Sequence, residues 1–228
     1  YIAVLDSGSF TYHDWDELVI TDVPEKLKGS TLLTTIRGRA REAHLIKAFR
    51  KTKYPSSIQP DQIMLTWSQN PQSSQSIQWR TNQDNTLGVV KYWKTDAEDV
   101  DDTLEVVAKM NVIEDRLLQN DRYINRFTAN IEGLNAETKY FYKVGNPELN
   151  VWSDRGEFIT AAEPSSPFSF VYFGDTHNSP HWGKLINKAY ERFPNTAFYT
   201  IGGDLVGTGL YRDEWDLLFE YSQNVIKN

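Results

Sequence analysis

Apolar and polar residues alternate in short runs across residues 58–161. Ile63–Ser68, Ser76–Thr81, Val89–Lys94, Leu104–Met110, Tyr123–Ile131, Tyr140–Gly145 and Gly156–Thr160 each read as a strand, separated by turn-rich or polar stretches. Seven short strands in this arrangement predict an all-β sandwich. The pattern changes after Ala162. Glu163-Pro164-Ser165-Ser166-Pro167 has the composition of a stiff polar linker. Beyond it, the continuous apolar runs Phe168–Phe173 and Ala197–Ile201 predict buried strands, each followed by helical periodicity. In the first helix Trp182, Leu185, Ile186, Ala189, Tyr190 and Phe193 form one apolar stripe, with Pro180 at its start and Pro194 at its stop. In the second helix Trp215, Leu218, Phe219, Ser222 and Ile226 do the same, with Asp213 and Glu214 in the first turn.

The segment before the sandwich is less regular. Residues 1–57 form an accessory segment, expected to be β, in which Tyr1–Leu5 and Leu18–Thr21 look like short strands. Arg37, Arg39 and Arg41 fall on one side of a possible strand over Thr31–Arg41, and Lys47, Arg50, Lys51 and Lys53 extend the basic stretch. It reads as a solvated face and linker, with an anion patch as the sharper alternative. Tyr54-Pro55-Ser56-Ser57 punctuates the boundary. The expected domains are therefore 1–57, 58–161 and 162–228.

Composition narrows the function classes. The 228 residues carry a net charge of −7 and no cysteine, so disulfides and thiolate metal sites are excluded. No clustered basic face calls for nucleic acid. No apolar run approaches the roughly 20 residues of a membrane span. An anionic substrate would need local cations, which bound metal ions could supply. The chain opens on Tyr1 rather than Met, as it would after removal of a leader. Six acidic residues in Asp96–Glu105 read as a solvated loop, since they lack the glycine and oxygen spacing of a calcium loop. Nothing in the sequence sets an oligomeric state.

Candidate chemistry lies just past the two apolar runs, in Gly174-Asp175-Thr176-His177 and Gly202-Gly203-Asp204-Leu205. The ends of parallel strands are where open α/β sheets place their ligands. Asp175 and His177 are two residues apart in an extended segment and share a direction. Asp204 follows Asp175 by 29 positions, close to the roughly 30 residues of a βαβ unit. Carboxylates and imidazole are the donors of a hydrolytic metal centre. A single Gly-Asp can merely cap a helix, but here three features agree. His13 and His44 read as structural or exposed, and His181 sits at a helix start.

Two resemblances follow from these residues. Leu134-x-x-x-Thr138-x-Tyr140 matches a tyrosine corner, and with Trp67 and Trp79, both read as core packing, it resembles a fibronectin type III-like domain. Gly-Asp-x-His followed by Gly-Asp resembles the opening of the calcineurin-like metallophosphoesterases, and the preceding sandwich makes the arrangement most similar to purple acid phosphatases. The resemblance covers about residues 58–228. It implies a mixed β and α/β fold: a fibronectin III-like β-sandwich followed by the first βαβα part of a metallophosphoesterase domain. It implies that Asp175 and His177 bind one metal and that Asp204 bridges two, with iron, manganese or zinc as the ions. It further implies hydrolysis of a phosphoester by in-line attack of a metal-activated water, and secretion or a periplasmic location.

The sequence departs from that pattern at two points. Purple acid phosphatases carry a Tyr three residues after the bridging Asp, where this chain has Gly207, and usually lack the His that stands here at 177. A centre of the non-purple kind is expected, with His177 supplying the ligand the Tyr would have given. The family's later Asn-His and Gly-His-x-His motifs are absent from the sequence. The chain is therefore expected to be an N-terminal fragment with half of a site, inactive alone. The alternative is a non-catalytic β-sandwich binding or adhesion module with a structural α/β appendage.

Overall fold

The structure, a computed structural model, describes residues 2–6, 9–13, 19–20, 44–45, 51–95, 103–115, 117–162 and 166–228. The chain falls into two compact units, Tyr1–Pro55 with Glu114–Tyr123, and Ser56–Ile113 with Ile124–Asn228. In the first, strands β1 (Ile2–Asp6) and β2 (Ser9–His13) pair antiparallel, with Val4 opposite Thr11. The short strands β3 (Val19–Ile20) and β4 (His44–Leu45) pair in parallel. Residues 114–123 lie inside the 58–161 stretch of the sequence yet group here. The Asn120 side chain accounts for part of this: it accepts from the Thr52 amide at 2.9 Å and donates to the Thr52 carbonyl at 3.1 Å. Arg37, Arg39, Arg41, Lys47 and Arg50 of the basic stretch, most of the acidic run and residues 163–165 of the linker lie outside the described residues.

The second unit opens with a sandwich of two antiparallel sheets. One contains β5 (Asp61–Thr66), β6 (Ser74–Thr81), β9 (Lys109–Glu114) and β10 (Tyr123–Glu132), in the order β5-β6-β10-β9. The other contains β7 (Val89–Lys94), β8 (Leu104–Val107), β11 (Lys139–Asn146) and β12 (Val151–Trp152), in the order β12-β11-β7-β8, with β13 (Gly156–Ile159) also on β11. Side chains alternate along each strand, so Phe127, Ala129 and Ile131 of β10 all point inward. They meet Val90, Tyr142, Val144 and Phe158 from the facing sheet. Phe127 lies opposite Trp79 in register, and their rings stack at 5.3 Å. The tyrosine corner forms: the Asn135 amide donates to the buried Tyr140 hydroxyl at 3.0 Å.

Two sequence expectations change here. The single strand over Leu104–Met110 is two strands, β8 and β9, which belong to opposite sheets. Ala108 marks the crossover, and its amide donates to the Gly88 carbonyl at 2.8 Å. Both strands lie at sheet edges and are largely exposed, so no alternation in burial marks the switch. Trp67 is not core. It is 39% exposed, against 0% for Trp79, and packs edge-on to Phe198 at 5.6 Å.

The α/β segment follows as β14 (Ser169–Phe173), α1 (Pro180–Arg192), β15 (Thr196–Ile201) and α2 (Arg212–Ile226). The two strands pair in parallel, with Phe173 opposite Ile201. Trp182 and Ile186 of α1 pack with Phe173, Leu218 and Val225. The helices approach closely where Gly183 faces Tyr221, and a Cβ there would lie 2.9 Å from that of Tyr221. The predicted stripe of α1 is only partly covered, since Leu185 and Phe193 are exposed. One face of the two-stranded sheet is also open, with Phe168, Phe170 and Tyr172 exposed. Among the described residues no helix is long and apolar enough to cross a membrane.

Candidate metal centre

The β14 and β15 ends are tied to one another before their side chains are considered. The Gly202 amide donates to the Phe173 carbonyl at 2.8 Å, which holds the strand ends in register. A side chain at Gly202 would collide with the Tyr172 hydroxyl. Beyond this point the His177 amide donates to the Asp204 carbonyl at 2.9 Å and the Asn178 amide to the Leu205 carbonyl at 3.1 Å. Thr176 is buried, and its hydroxyl donates to the Leu205 carbonyl at 3.0 Å. In the motif Thr176 is only a spacer, and nothing in the sequence signals this pinning role.

The backbone bends sharply to make these bonds. His177, Asn178 and Asp204 adopt φ of 47°, 45° and 38°, a left-handed region that non-glycine residues seldom occupy. Such conformations cost free energy and persist only where the surroundings impose them. The chain then enters α1 through Ser179, whose hydroxyl oxygen accepts from the Trp182 amide at 3.2 Å.

The three sequence-predicted residues come together. His177 Nε2 lies 3.7 Å from Asp175 Oδ2 and 3.8 Å from Asp204 Oδ2. One donor atom from each lies within 4.8 Å of the others. The side chains are 63%, 52% and 68% exposed for Asp175, His177 and Asp204, so a ligand reaches them directly from solvent. Two carboxylates and one imidazole are a donor set suited to zinc, manganese or iron. Their mutual distances leave room for one ion to touch all three. Three donors are too few for a closed two-metal cage. His181 stands outside this group.

Behind the site, α2 is fixed to the sandwich by a buried polar network that sequence reasoning missed. Asp216 accepts from Arg80 Nη1 at 2.5 Å and from Gln62 Nε2 at 2.6 Å, and faces Arg212 Nε at 3.9 Å. Arg80 also forks onto both carboxylate oxygens of Asp61, at 2.7 and 2.6 Å. Burial works against the Arg80 charge, but the two carboxylates hold its guanidinium above the ordinary value. Burial pushes the Asp216 carboxyl up, against the pull of Arg80 and Arg212. Arg126 stacks over Phe219 and donates to Gln62 Oε1 at 3.0 Å; burial, with repulsion from Arg80, lowers it to about 10.

Sheet order and tyrosine corner define the sandwich as fibronectin III-like, and a small parallel α/β segment is joined to it. Residues 60–160 match the family model of the purple acid phosphatase N-terminal domain. No match is found among curated proteins. Among solved structures the chain is similar to the sensor domain of the anti-sigma factor RsgI4 in Pseudobacteroides cellulosolvens. That likeness has 19% identity and a TM-score of 0.30, and covers 49% of this chain and 100% of that one. It is also similar to the third fibronectin III domain of the human KIAA0343 protein, at 13% identity and a TM-score of 0.31, covering 58% and 100%.

Proposed function

We propose that this chain carries one side of the metal centre of a phosphoester hydrolase. The observation that carries the reading is the convergence of Asp175, His177 and Asp204 at the ends of adjacent parallel strands. The sandwich before them, which matches the purple acid phosphatase N-terminal domain, supports the same lineage. Asp175 and His177 would hold the first ion. By its place in the motif Asp204 would serve a second ion as well, and its carboxylate has a second oxygen with which to do so. When bound, such ions neutralise the phosphoryl oxygens of the substrate and make water nucleophilic near neutral pH. The chain's own contribution is positional: the amides of His177 and Asn178 lock the two loops, so the donors are oriented in advance.

A second reading rests on the extent of the family match, which stops at residue 160 and leaves the α/β segment outside. In that reading the sandwich is a non-catalytic binding module, and the three residues are a solvated acidic cluster. Metal analysis separates the two. The hydrolase reading expects tight, stoichiometric Mn²⁺ or Zn²⁺ that is lost in Asp204→Asn. It also expects turnover of an aryl phosphate near background for this chain alone, because a single half-cage is present. Absence of bound metal at saturating concentration would establish the second reading. Robust turnover would show that the site is self-sufficient and the half-site assignment wrong.

A further inference from the structure

We propose that Arg80, on sandwich strand β6, is a positioning residue for Asp204, acting through Asp216 and the first turn of α2. The inference rests on the metal reading above, and it assigns the sandwich a task in that site.

The connection is short and continuous. Asp204 opens the loop that leads into α2. Two residues of the helix's first turn hold this loop. Glu214 Oε2 accepts from the Thr208 amide at 2.7 Å, and Trp215 Nε1 donates to the Gly209 carbonyl at 2.9 Å. The next residue, Asp216, is buried against the sandwich on Arg80 and Gln62. Three consecutive residues therefore join the loop on one side to β5 and β6 on the other. Arg80 is itself immobilised by its fork on Asp61.

A second anchor lies two turns further along α2. Gln223 accepts from the Ile63 amide at 3.2 Å and donates to the Ile63 carbonyl at 2.8 Å. Loss of Arg80 thus removes the ionic part of the anchor at the loop end of α2, leaving Gln62 there, while the later anchor stays intact. Without Arg80 the buried Asp216 carboxyl loses the charged partner that offsets its burial and keeps only Gln62 as its contact on the sandwich. The helix end then has no ionic tie to the sandwich through Arg80. The loop held by Glu214 and Trp215 gains freedom, and with it the Asp204 carbonyl that accepts the His177 amide.

The test compares Arg80→Met with Ile131→Val in the 228-residue chain. Ile131 is fully buried in the sandwich core, so its truncation lowers stability without touching the α2 anchor. Two quantities are read: Mn²⁺ affinity by electron paramagnetic resonance titration, and hydrogen exchange of the His177 amide in metal-free protein. Arg80→Met is expected to weaken Mn²⁺ binding by up to about tenfold, the low end of the loss when a group bonded directly to a ligand is removed, because Arg80 acts from further away. It is also expected to speed His177 exchange beyond the change in global stability. Ile131→Val is expected to leave Mn²⁺ affinity unchanged and to alter His177 exchange only in step with stability. Arg80→Lys keeps one charged contact but not the fork on Asp61. It is expected to fall between the two, and it carries the test if Arg80→Met does not fold. Arg80 and Ile131 variants that behave alike in both measurements overturn the proposal while leaving the metal reading intact. A wild-type chain that binds neither Mn²⁺ nor Zn²⁺ overturns the metal reading, and His177 exchange alone then decides whether Arg80 positions the loop.

Discussion

The His177 amide and the Asp204 carbonyl meet at 2.9 Å, so main chain joins the two motif loops independently of any ion. The side chains of these residues, with Asp175, remain exposed. Binding and stability are therefore separable at this site. Asp204→Asn retains a residue type that tolerates the left-handed φ of 38°. It is expected to change unfolding free energy by no more than about 0.5 kcal/mol, as for most exposed substitutions. The same change, like His177→Ala, is expected to abolish stoichiometric metal measured by mass spectrometry after dialysis. Asp204→Val places a β-branched side chain at that φ and is expected to lower stability as well. Retention of full metal content in Asp204→Asn would remove this residue from the site.

The two tryptophans in the first strands separate in the same way. Trp79 is fully buried and stacked on Phe127, so Trp79→Ala is expected to cost about 3–5 kcal/mol. Trp67 is 39% exposed and touches Phe198 edge-on, so Trp67→Ala is expected to cost clearly less than Trp79→Ala, with the aromatic pair supplying about 0.5–1.5 kcal/mol of it. Urea unfolding of both variants measures the difference. Equal costs would place Trp67 in the core after all.

Period-two alternation was enough to locate most of the sandwich, because Phe127, Ala129 and Ile131 are inward for the same geometric reason that they alternate with polar residues. Tyr140 was legible because a tyrosine corner is a local bond with a fixed spacing. The proximity of Asp175, His177 and Asp204 was legible because parallel strand ends are neighbours in a βαβ unit. Three things were hidden. The switch of sheets at Ala108 occurs between exposed edge strands that carry no burial pattern. The left-handed backbone at His177, Asn178 and Asp204 is imposed by cross-loop bonds, without glycine to announce it. The Arg80–Asp216 pair is separated by 136 positions, and no periodicity couples residues so far apart.

The entry to α1 bears directly on the His177 loop. Ser179 follows two left-handed residues and caps the helix through the Trp182 amide. Ser179→Ala leaves that amide without its partner and is expected to cost about 1 kcal/mol. Faster hydrogen exchange at Trp182, with little change in the sandwich strands, would place the loss at the helix start. Unchanged exchange there would mean that Pro180 alone fixes the helix end.

Alkaline pH isolates the contact between Tyr142 and the end of α2. The Tyr142 hydroxyl is buried and donates to the Lys227 carbonyl at 2.6 Å. Burial raises this phenol well above its ordinary value of 10.0. In the unfolded chain the phenol loses its proton near that ordinary value, whereas in the folded chain it keeps it. Above pH 10 the folded state therefore binds one more proton at this residue, and stability falls as pH rises. At pH 8 both states are protonated, and the full contribution of the residue is present. Tyr142→Phe removes the hydrogen bond and the titration together. The variant is expected to be less stable than wild type by about 1 kcal/mol at pH 8, the usual net worth of one such bond. The gap is expected to close as pH rises beyond 10, measured by urea unfolding at fixed ionic strength. A gap that stays constant to pH 11 would show that Tyr142 ionises as readily in the folded chain as in the unfolded one.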